Sequence, residues 1–74
     1  MDDWFFFLEV AVWHKVSEVA KSRRLNAEKT MEFAKENADD YSIIEEYGTL
    51  EINTWHINEF VDACIAKGYR EPRT

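Results

Sequence analysis

The stretch WFFFLEVAVW, residues Trp4–Trp13, carries a single charge in ten residues and decides the predicted fold class. Its apolar residues recur at spacings of three and four and continue beyond it, which predicts one long first helix. Asp2 or Asp3 can cap the start of this helix, and the cations of Arg23 and Arg24 suit its end. The core-facing stripe is predicted to comprise Phe5, Leu8, Val12, Val16 and Val19.

The apolar side chains off that stripe form a candidate partner-binding surface. A helix that is apolar almost all round needs cover on more than one side. A domain of this size buries only about 60% of the surface that its unfolded chain exposes, so its own helices give limited cover. We therefore expect a second copy or another protein to bind here. The alternative, in which the other helices of the same chain wrap the first, stays open. The candidate residues are Trp4, Phe6, Phe7, Val10 and Trp13.

The low content of turn-forming residues favours an all-α fold. The 74 residues are 46% hydrophobic but include two Gly and one Pro, which leaves little turn material for hairpins. We expect a single domain over residues 1–74, a compact bundle of about four helices with the first long and the third short. Residues 68–74 are expected to form a frayed tail.

Three further helices are predicted from capping signals. The segment TLEIN, residues 49–53, alternates weakly, but one short strand has no partner in an all-helical chain. The predicted bounds are 27–38 after Asn26, 41–47 before Gly48, and from Asn53 or Thr54 to Gly68. The inward residues of the last helix are predicted to be Ile57, Phe60, Val61, Cys64 and Ile65.

Charge and cysteine content limit the class of protein. The net charge is −6, yet residues 15–35 carry six Lys or Arg against three Glu, whereas residues 36–66 hold eight carboxylates and no Lys or Arg. The acidic part offers a surface for a basic target. The single Cys64 permits no internal disulfide, and Asp2 and Asp3 stand where a secretory signal is cationic, so we expect a cytoplasmic protein. The apolar run is shorter than the roughly 20 residues of a membrane span, and we expect no membrane partner.

The sequence indicates no enzyme, cofactor or metal site. His14 and Glu18 are four residues apart, a spacing that usually marks a surface pair on a helix. His56 and Glu59 are three apart, and with Cys64 too distant they do not make up the three or four ligands of a zinc site. Cys64 itself is expected to be a small core residue.

Residues 17–35 favour a second function, a DNA-binding regulator of the helix-turn-helix type. Val19, Ala20, Leu25 and Phe33 fall where that motif places packing residues. Arg24 stands where Gly is usual, and Thr30 where an aliphatic residue is usual. The candidate phosphate contacts are Lys21, Arg23, Arg24 and Lys29, with Lys35 beside them.

The segment EVAKSRRLNAEKTMEFAKENADDYSIIEEYGTL resembles a family of small uncharacterised bacterial domains of unknown function. The resemblance covers about residues 16–50. Members are often encoded beside ADP-ribosyltransferase-like toxins, which implies a small accessory or antitoxin-like binding role and no catalytic residues. The shared aromatic residues are expected to be packing residues. The positions that carry the resemblance are Asn26, Phe33, Tyr41, Tyr47 and Leu50.

Overall fold

The structure, a computed structural model, describes residues 12–72. The part of the predicted first helix before Val12, with Phe5 and Leu8 of its stripe, lies outside the described residues. Within the described range there are three strands and four helices: one strand, three consecutive helices, two consecutive strands and a last helix. Their bounds are β1 Trp13–Lys15, α1 Val16–Ser22, α2 Ala27–Glu36, α3 Ala38–Tyr41, β2 Ile44–Glu46, β3 Thr49–Asn53 and α4 Thr54–Ala66.

The predicted all-α bundle is wrong, because the three strands form an antiparallel sheet in the order β1-β3-β2. β3 is the TLEIN segment, and its weak alternation is that of a strand with one buried face. Leu50 and Ile52 are buried in the core, whereas Thr49 and Glu51 are half-exposed on the opposite face. The strand lacked a partner in the sequence-based prediction because both of its partners had been assigned to helices.

One of those partners is β2, which replaces the second half of the helix predicted over residues 41–47. The helix α3 ends early, since Ser42 adopts a left-handed conformation with φ of 54°. A two-residue loop, Tyr47–Gly48, then joins β2 to β3, and both of its residues have positive φ, 52° and 78°. Positive φ at both positions defines the type I′ turn that two-residue hairpins favour. Gly48 is therefore part of a hairpin turn and does not terminate a helix.

The other partner is β1, which replaces part of the predicted long first helix. Trp13 pairs with Asn53 and Lys15 with Glu51, and α1 begins only at Val16. Val12, predicted to face the core, is 53% exposed. The second edge of β3 offers ladder hydrogen bonds to this segment, and such pairing outweighs a helical periodicity in the sequence.

Two helices, α2 and α4, begin where the sequence predicts. The Asn26 carboxamide oxygen accepts a hydrogen bond from the Lys29 N–H at 2.9 Å and caps α2. The Asn53 carboxamide oxygen accepts one from the Trp55 N–H at 2.8 Å and caps α4. The predicted Asn26 cap is confirmed, and of the two candidates for the last helix, Asn53 and Thr54, it is Asn53 that caps it. Each satisfies a backbone donor that the first turn of a helix leaves unpaired.

The core lies between the helices and the inner face of the sheet. Phe60, Val61 and Cys64 of α4 are buried as predicted, but Ile65 is exposed. The Phe33 ring lies 5.6 Å from that of Phe60, and the Tyr41 and Tyr69 rings lie within 6.3 Å of Phe33. Aromatic rings at these separations pack favourably edge to face or offset. This cluster ties α2, α3 and α4 together.

The segment Tyr69–Glu71, which we call the C-terminal strap, is held against the turn between α1 and α2. The Asn26 N–H donates to the Tyr69 carbonyl at 2.8 Å, and the Glu71 N–H donates to the Arg24 carbonyl at 2.7 Å. Between these bonds, Leu25 and Arg70 form an antiparallel bridge. The part of the chain predicted to fray is therefore anchored by its backbone as far as Glu71.

The core also encloses two small polar side chains, Thr30 of α2 and Cys64 of α4, and neither exposes any surface. Burial raises the pKa of the Cys64 thiol above its ordinary value, and the nearby Thr30 hydroxyl and the Lys67 ammonium oppose the rise. The Thr30 hydroxyl has no well-formed hydrogen bond to any described residue. The thiol is thus held in its neutral form.

We expect the change Tyr47→Asn to stabilise the fold. Tyr47 adopts positive φ, which costs a side chain with a Cβ about 1–2 kcal/mol. Asn is the residue that type I′ turns prefer before Gly, so we expect a gain of about 0.5–1 kcal/mol in the free energy of unfolding. Urea denaturation measures it. As a control of opposite sign, Gly48→Ala should lower stability, and an unchanged midpoint in both variants contradicts the turn assignment.

We expect stability to fall as pH rises above about 8.5, where a thiol in the unfolded chain ionises. The folded state holds the Cys64 proton more tightly than the unfolded state does, so deprotonation favours unfolding. Urea denaturation between about pH 7 and 10 should show this fall in the native protein and a smaller one in Cys64→Ala. Equal slopes in the two proteins would show that the thiol is not buried.

Candidate protein-interaction surfaces

The predicted partner-binding residues divide between two parts of the chain. Trp4, Phe6, Phe7 and Val10 lie outside the described residues. Trp13 is described, and it occupies the first position of β1 instead of a helix face. Its side chain is 39% exposed, which makes it an uncovered apolar group of the kind predicted for this surface.

Trp13 belongs to an exposed apolar group at the start of α4, which we call the tryptophan corner: Val12, Trp13 and Trp55. Trp55 lies in the first turn of α4 and is 61% exposed. Asn53 connects the two tryptophans, because it pairs with Trp13 across the sheet and accepts a hydrogen bond from the Trp55 N–H. Large aromatic side chains left in water in this way are typical anchors of protein interfaces.

Hydrogen bonds hold the backbone of this corner in place. Thr54 donates to the Val12 carbonyl twice, from its N–H at 2.9 Å and from its hydroxyl at 2.8 Å. The Thr54 hydroxyl oxygen also lies 3.0 Å from the Nε2 atom of His14. Because the hydroxyl proton points to Val12, we assign the proton of this second bond to His14 Nε2. His14 thus positions the start of α4, and the predicted helical pairing of His14 with Glu18 is wrong.

Trp55 was not predicted as a binding residue, although the sequence carries a signal for it. Ile57, Phe60, Val61 and Cys64 define the inward face of the last helix, and Trp55 lies off that face. It shares the polar side of the helix with Glu59 and Asp62, at spacings of four and seven. An aromatic residue among exposed carboxylates is the pattern that identifies it.

The predicted helix-turn-helix is present as a helical hairpin, made of α1, a short turn and α2. Val19, Ala20, Leu25 and Phe33 are buried, which confirms their predicted packing role. Arg24 adopts a φ of 56°, the left-handed conformation for which the motif normally uses Gly. The short helix α3 and a β-hairpin follow the two helices. A fold does not by itself specify a function.

The charges of this region oppose nucleic-acid binding through the second helix. Lys21, Arg24 and Lys29 are exposed as predicted, and Arg23 is half-exposed. The second helix of such a motif enters the major groove, yet α2 exposes three glutamates and only two lysines. The hairpin that follows adds further carboxylates and no cation. Phosphates are repelled by such a surface. The carboxylates are Glu28, Glu32 and Glu36 on α2 and Glu45, Glu46 and Glu51 on the hairpin.

The basic side chains at the end of α1 border an open groove of about 450 Å³. The groove lies between α1, the turn and the end of the C-terminal strap. Its floor is apolar, with Leu25 and Pro72 among the lining residues, and its cations are Lys21 and Arg24. Glu71 also borders the groove, where its carboxylate accepts a hydrogen bond from the Asn26 side chain at 3.0 Å.

No metal-binding constellation is found among residues 12–72. The described part of the chain contains no group of three His, Cys, Asp or Glu residues able to hold a metal ion. Its one contact within salt-bridge distance joins His56 Nδ1 to Glu59 Oε1 at 3.9 Å, a long contact within one helix turn that is an ion pair only when the imidazole is protonated. None of the described helices combines the length and the apolar character that crossing a bilayer requires.

The chain has no match among protein-family models, curated proteins or solved structures. The structure shows the burial of the residues that carry the resemblance to the small bacterial domains. Phe33 and Leu50 are buried and Tyr41 packs beside Phe33, so these three are packing residues as expected. Tyr47 is not, since it is 100% exposed at the tip of the hairpin. Packing within the protomer does not account for this aromatic residue.

From the charge distribution we expect at most weak, non-specific binding to duplex DNA, with a Kd above about 10⁻⁶ M at physiological salt. Fluorescence anisotropy with a labelled duplex, titrated at low and physiological ionic strength, measures it. The double variant Arg23→Glu with Arg24→Glu is the control. Nanomolar, sequence-dependent binding that this variant abolishes would establish the helix-turn-helix as the functional site.

Proposed function

We propose that the chain is a small, non-enzymatic protein-interaction module that binds a partner protein through the tryptophan corner. The observation that carries this proposal is the exposure of Trp13 and Trp55 at one place, connected through Asn53. The apolar residues 4–10 precede this corner directly in the sequence. A second copy of the chain and a different protein are both partners of the required kind.

The energetics of interfaces support the corner as a binding site. Fully burying one large aromatic side chain removes about 150–250 Å² from water. Burial of apolar area stabilises a complex by roughly 25 cal/mol per Å², before the cost of association is subtracted. The hydrogen bonds from Thr54 to Val12 keep the backbone in one geometry in the free protein. Little order then has to be imposed on binding, which favours affinity.

The surroundings of the corner indicate a partner with basic residues near its apolar contact. On α4, Glu59 and Asp62 share a face with Trp55. An acidic rim around an apolar centre selects a basic partner and speeds its approach. We further propose that the protein acts in the cytoplasm, where its single thiol stays reduced, and that it serves as an accessory or antitoxin-like protein. The resemblance noted in the sequence supports that last role.

We expect Trp55→Ser and Trp13→Ser each to weaken partner binding by roughly 10- to 100-fold, as truncation of an interface anchor does. Trp55→Ser should change the free energy of unfolding by less than about 1 kcal/mol, because that side chain is 61% exposed. Trp13→Ser should cost more stability, because only 39% of the Trp13 side chain is exposed. Sedimentation at increasing protein concentration tests a second copy as the partner. Co-purification followed by mass spectrometry tests a different protein.

Ile65→Ser is the matched control, since Ile65 is another exposed apolar residue of α4, near the opposite end of the helix. Its binding should equal that of the native chain. A Trp55→Ser protein that folds normally and still binds its partner with native affinity would refute the proposal.

A further inference from the structure

The tip of the β2–β3 hairpin carries a tyrosine that the protomer itself does not use. Tyr47 is fully exposed, and it occupies a left-handed conformation that strains a residue with a side chain. Asn or Asp would fit the turn better. Strained residues that no internal packing explains concentrate at functional sites. The hairpin thus presents an aromatic ring outward at an energetic cost.

The flanks of that tip are acidic and unneutralised. Glu45 and Glu46 precede Tyr47 on β2 and are exposed, and Glu51 follows on β3. None of the three forms an ion pair with another described residue. Lys15 lies opposite Glu51 in the sheet register, but its ammonium is not within ion-pair distance of that carboxylate. The hairpin is therefore acidic along its flanks and aromatic at its tip.

The groove between α1 and the C-terminal strap has the opposite character. Lys21 and Arg24 border it, Arg23 lies between them in sequence, and none of the three is ion-paired within residues 12–72. Its lining also includes Ala20, Leu25 and Pro72, which offer an apolar surface to a ring. The one carboxylate in the lining, that of Glu71, accepts a hydrogen bond from the Asn26 side chain, so two cations face one anion. One molecule therefore carries both an acidic hairpin with an aromatic tip and a basic, partly apolar groove.

We propose that the Tyr47 hairpin of one copy docks in the Lys21–Arg24 groove of a second copy. The ring of Tyr47 contacts the apolar lining, and the carboxylates of Glu45 and Glu46 face the cations of the groove. The contact is head to tail, so each copy retains a free hairpin or a free groove unless a ring closes. This surface is separate from the tryptophan corner and does not depend on it.

Pairing between two copies of the hairpin is a poorer alternative. An antiparallel pairing of two β2 edges would bring Glu45 and Glu46 of one copy against the same carboxylates of the other. Like charges directly opposite each other destabilise a sheet. Docking into the groove instead joins opposite charges and covers the aromatic ring.

The test uses two complementary variants of the full chain. Tyr47→Asn removes the ring and suits the turn, so this variant keeps a folded hairpin and an intact groove. The double variant Lys21→Glu with Arg24→Glu reverses the charge of the groove and keeps the hairpin. Circular dichroism and urea denaturation confirm that each is folded. Should the charge-reversed protein fail to fold, Lys21→Gln with Arg24→Gln replaces it.

Sedimentation velocity at low salt should show the native chain growing in mass with concentration, and raising the ionic strength to about 1 M should reverse the growth. Each variant alone should be a monomer, with association weakened by at least roughly 30-fold. An equimolar mixture should form a 1:1 complex and nothing larger, because it offers one working groove and one working hairpin. Trp55→Ser should keep the salt-sensitive part of the association, which the hairpin and the groove supply.

The proposal is overturned by a native chain that stays monomeric at all concentrations, or by a mixture that forms no complex. It is also overturned if Tyr47→Asn self-associates as the native chain does. The same holds if duplex DNA binds the groove and the hairpin does not. Self-association that Trp55→Ser abolishes and Tyr47→Asn leaves intact supports the tryptophan corner and refutes hairpin docking. A native chain that neither self-associates nor retains a partner protein on co-purification refutes both proposals.

Discussion

The fold depends on β3 being paired along both edges. This five-residue strand bonds to β1 on one side and to β2 on the other, and it buries Leu50 and Ile52 beneath the helices. Two helices adjoin the sheet directly in the chain, since α1 follows the end of β1 and α4 begins at Thr54, the residue after β3 ends. Two neighbouring segments with helical periodicity become strands because β3 supplies hydrogen bonds that a helix would have supplied internally.

The sequence allowed good predictions where a local chemical signal determines the structure. Asn26 was identified as a cap, and Asn53 as one of two candidates beside Thr54, because such side chains satisfy backbone donors two or three residues away. The burial of Val19, Leu25 and Phe33 followed from spacing alone. Long-range pairing was not predictable in this way. Trp13–Lys15 and Ile44–Glu46 carry no strong strand pattern of their own. The low glycine content did not indicate that Tyr47 and Gly48 form a hairpin turn.

The candidate site shows the same division. Trp13 was identified because an apolar run exceeds what a small chain can cover, although its predicted secondary structure was wrong. Trp55 and Tyr47 were missed since each was judged by the helix to which it had been assigned. Both become conspicuous only when the fold shows them in water. The basic residues after α1 were correctly predicted to be exposed, but the acidic character of α2 and the hairpin beside them changes what they can bind.

The C-terminal strap has a consequence for biosynthesis. Leu25 bridges to Arg70 and Asn26 bonds to Tyr69, so the α1–α2 turn is secured by residues that lie more than forty positions later in the chain. A polypeptide leaving the ribosome cannot make these bonds until residues 69–71 have been translated and have cleared the exit tunnel. The hairpin of helices can assemble earlier, but its closure has to await those residues.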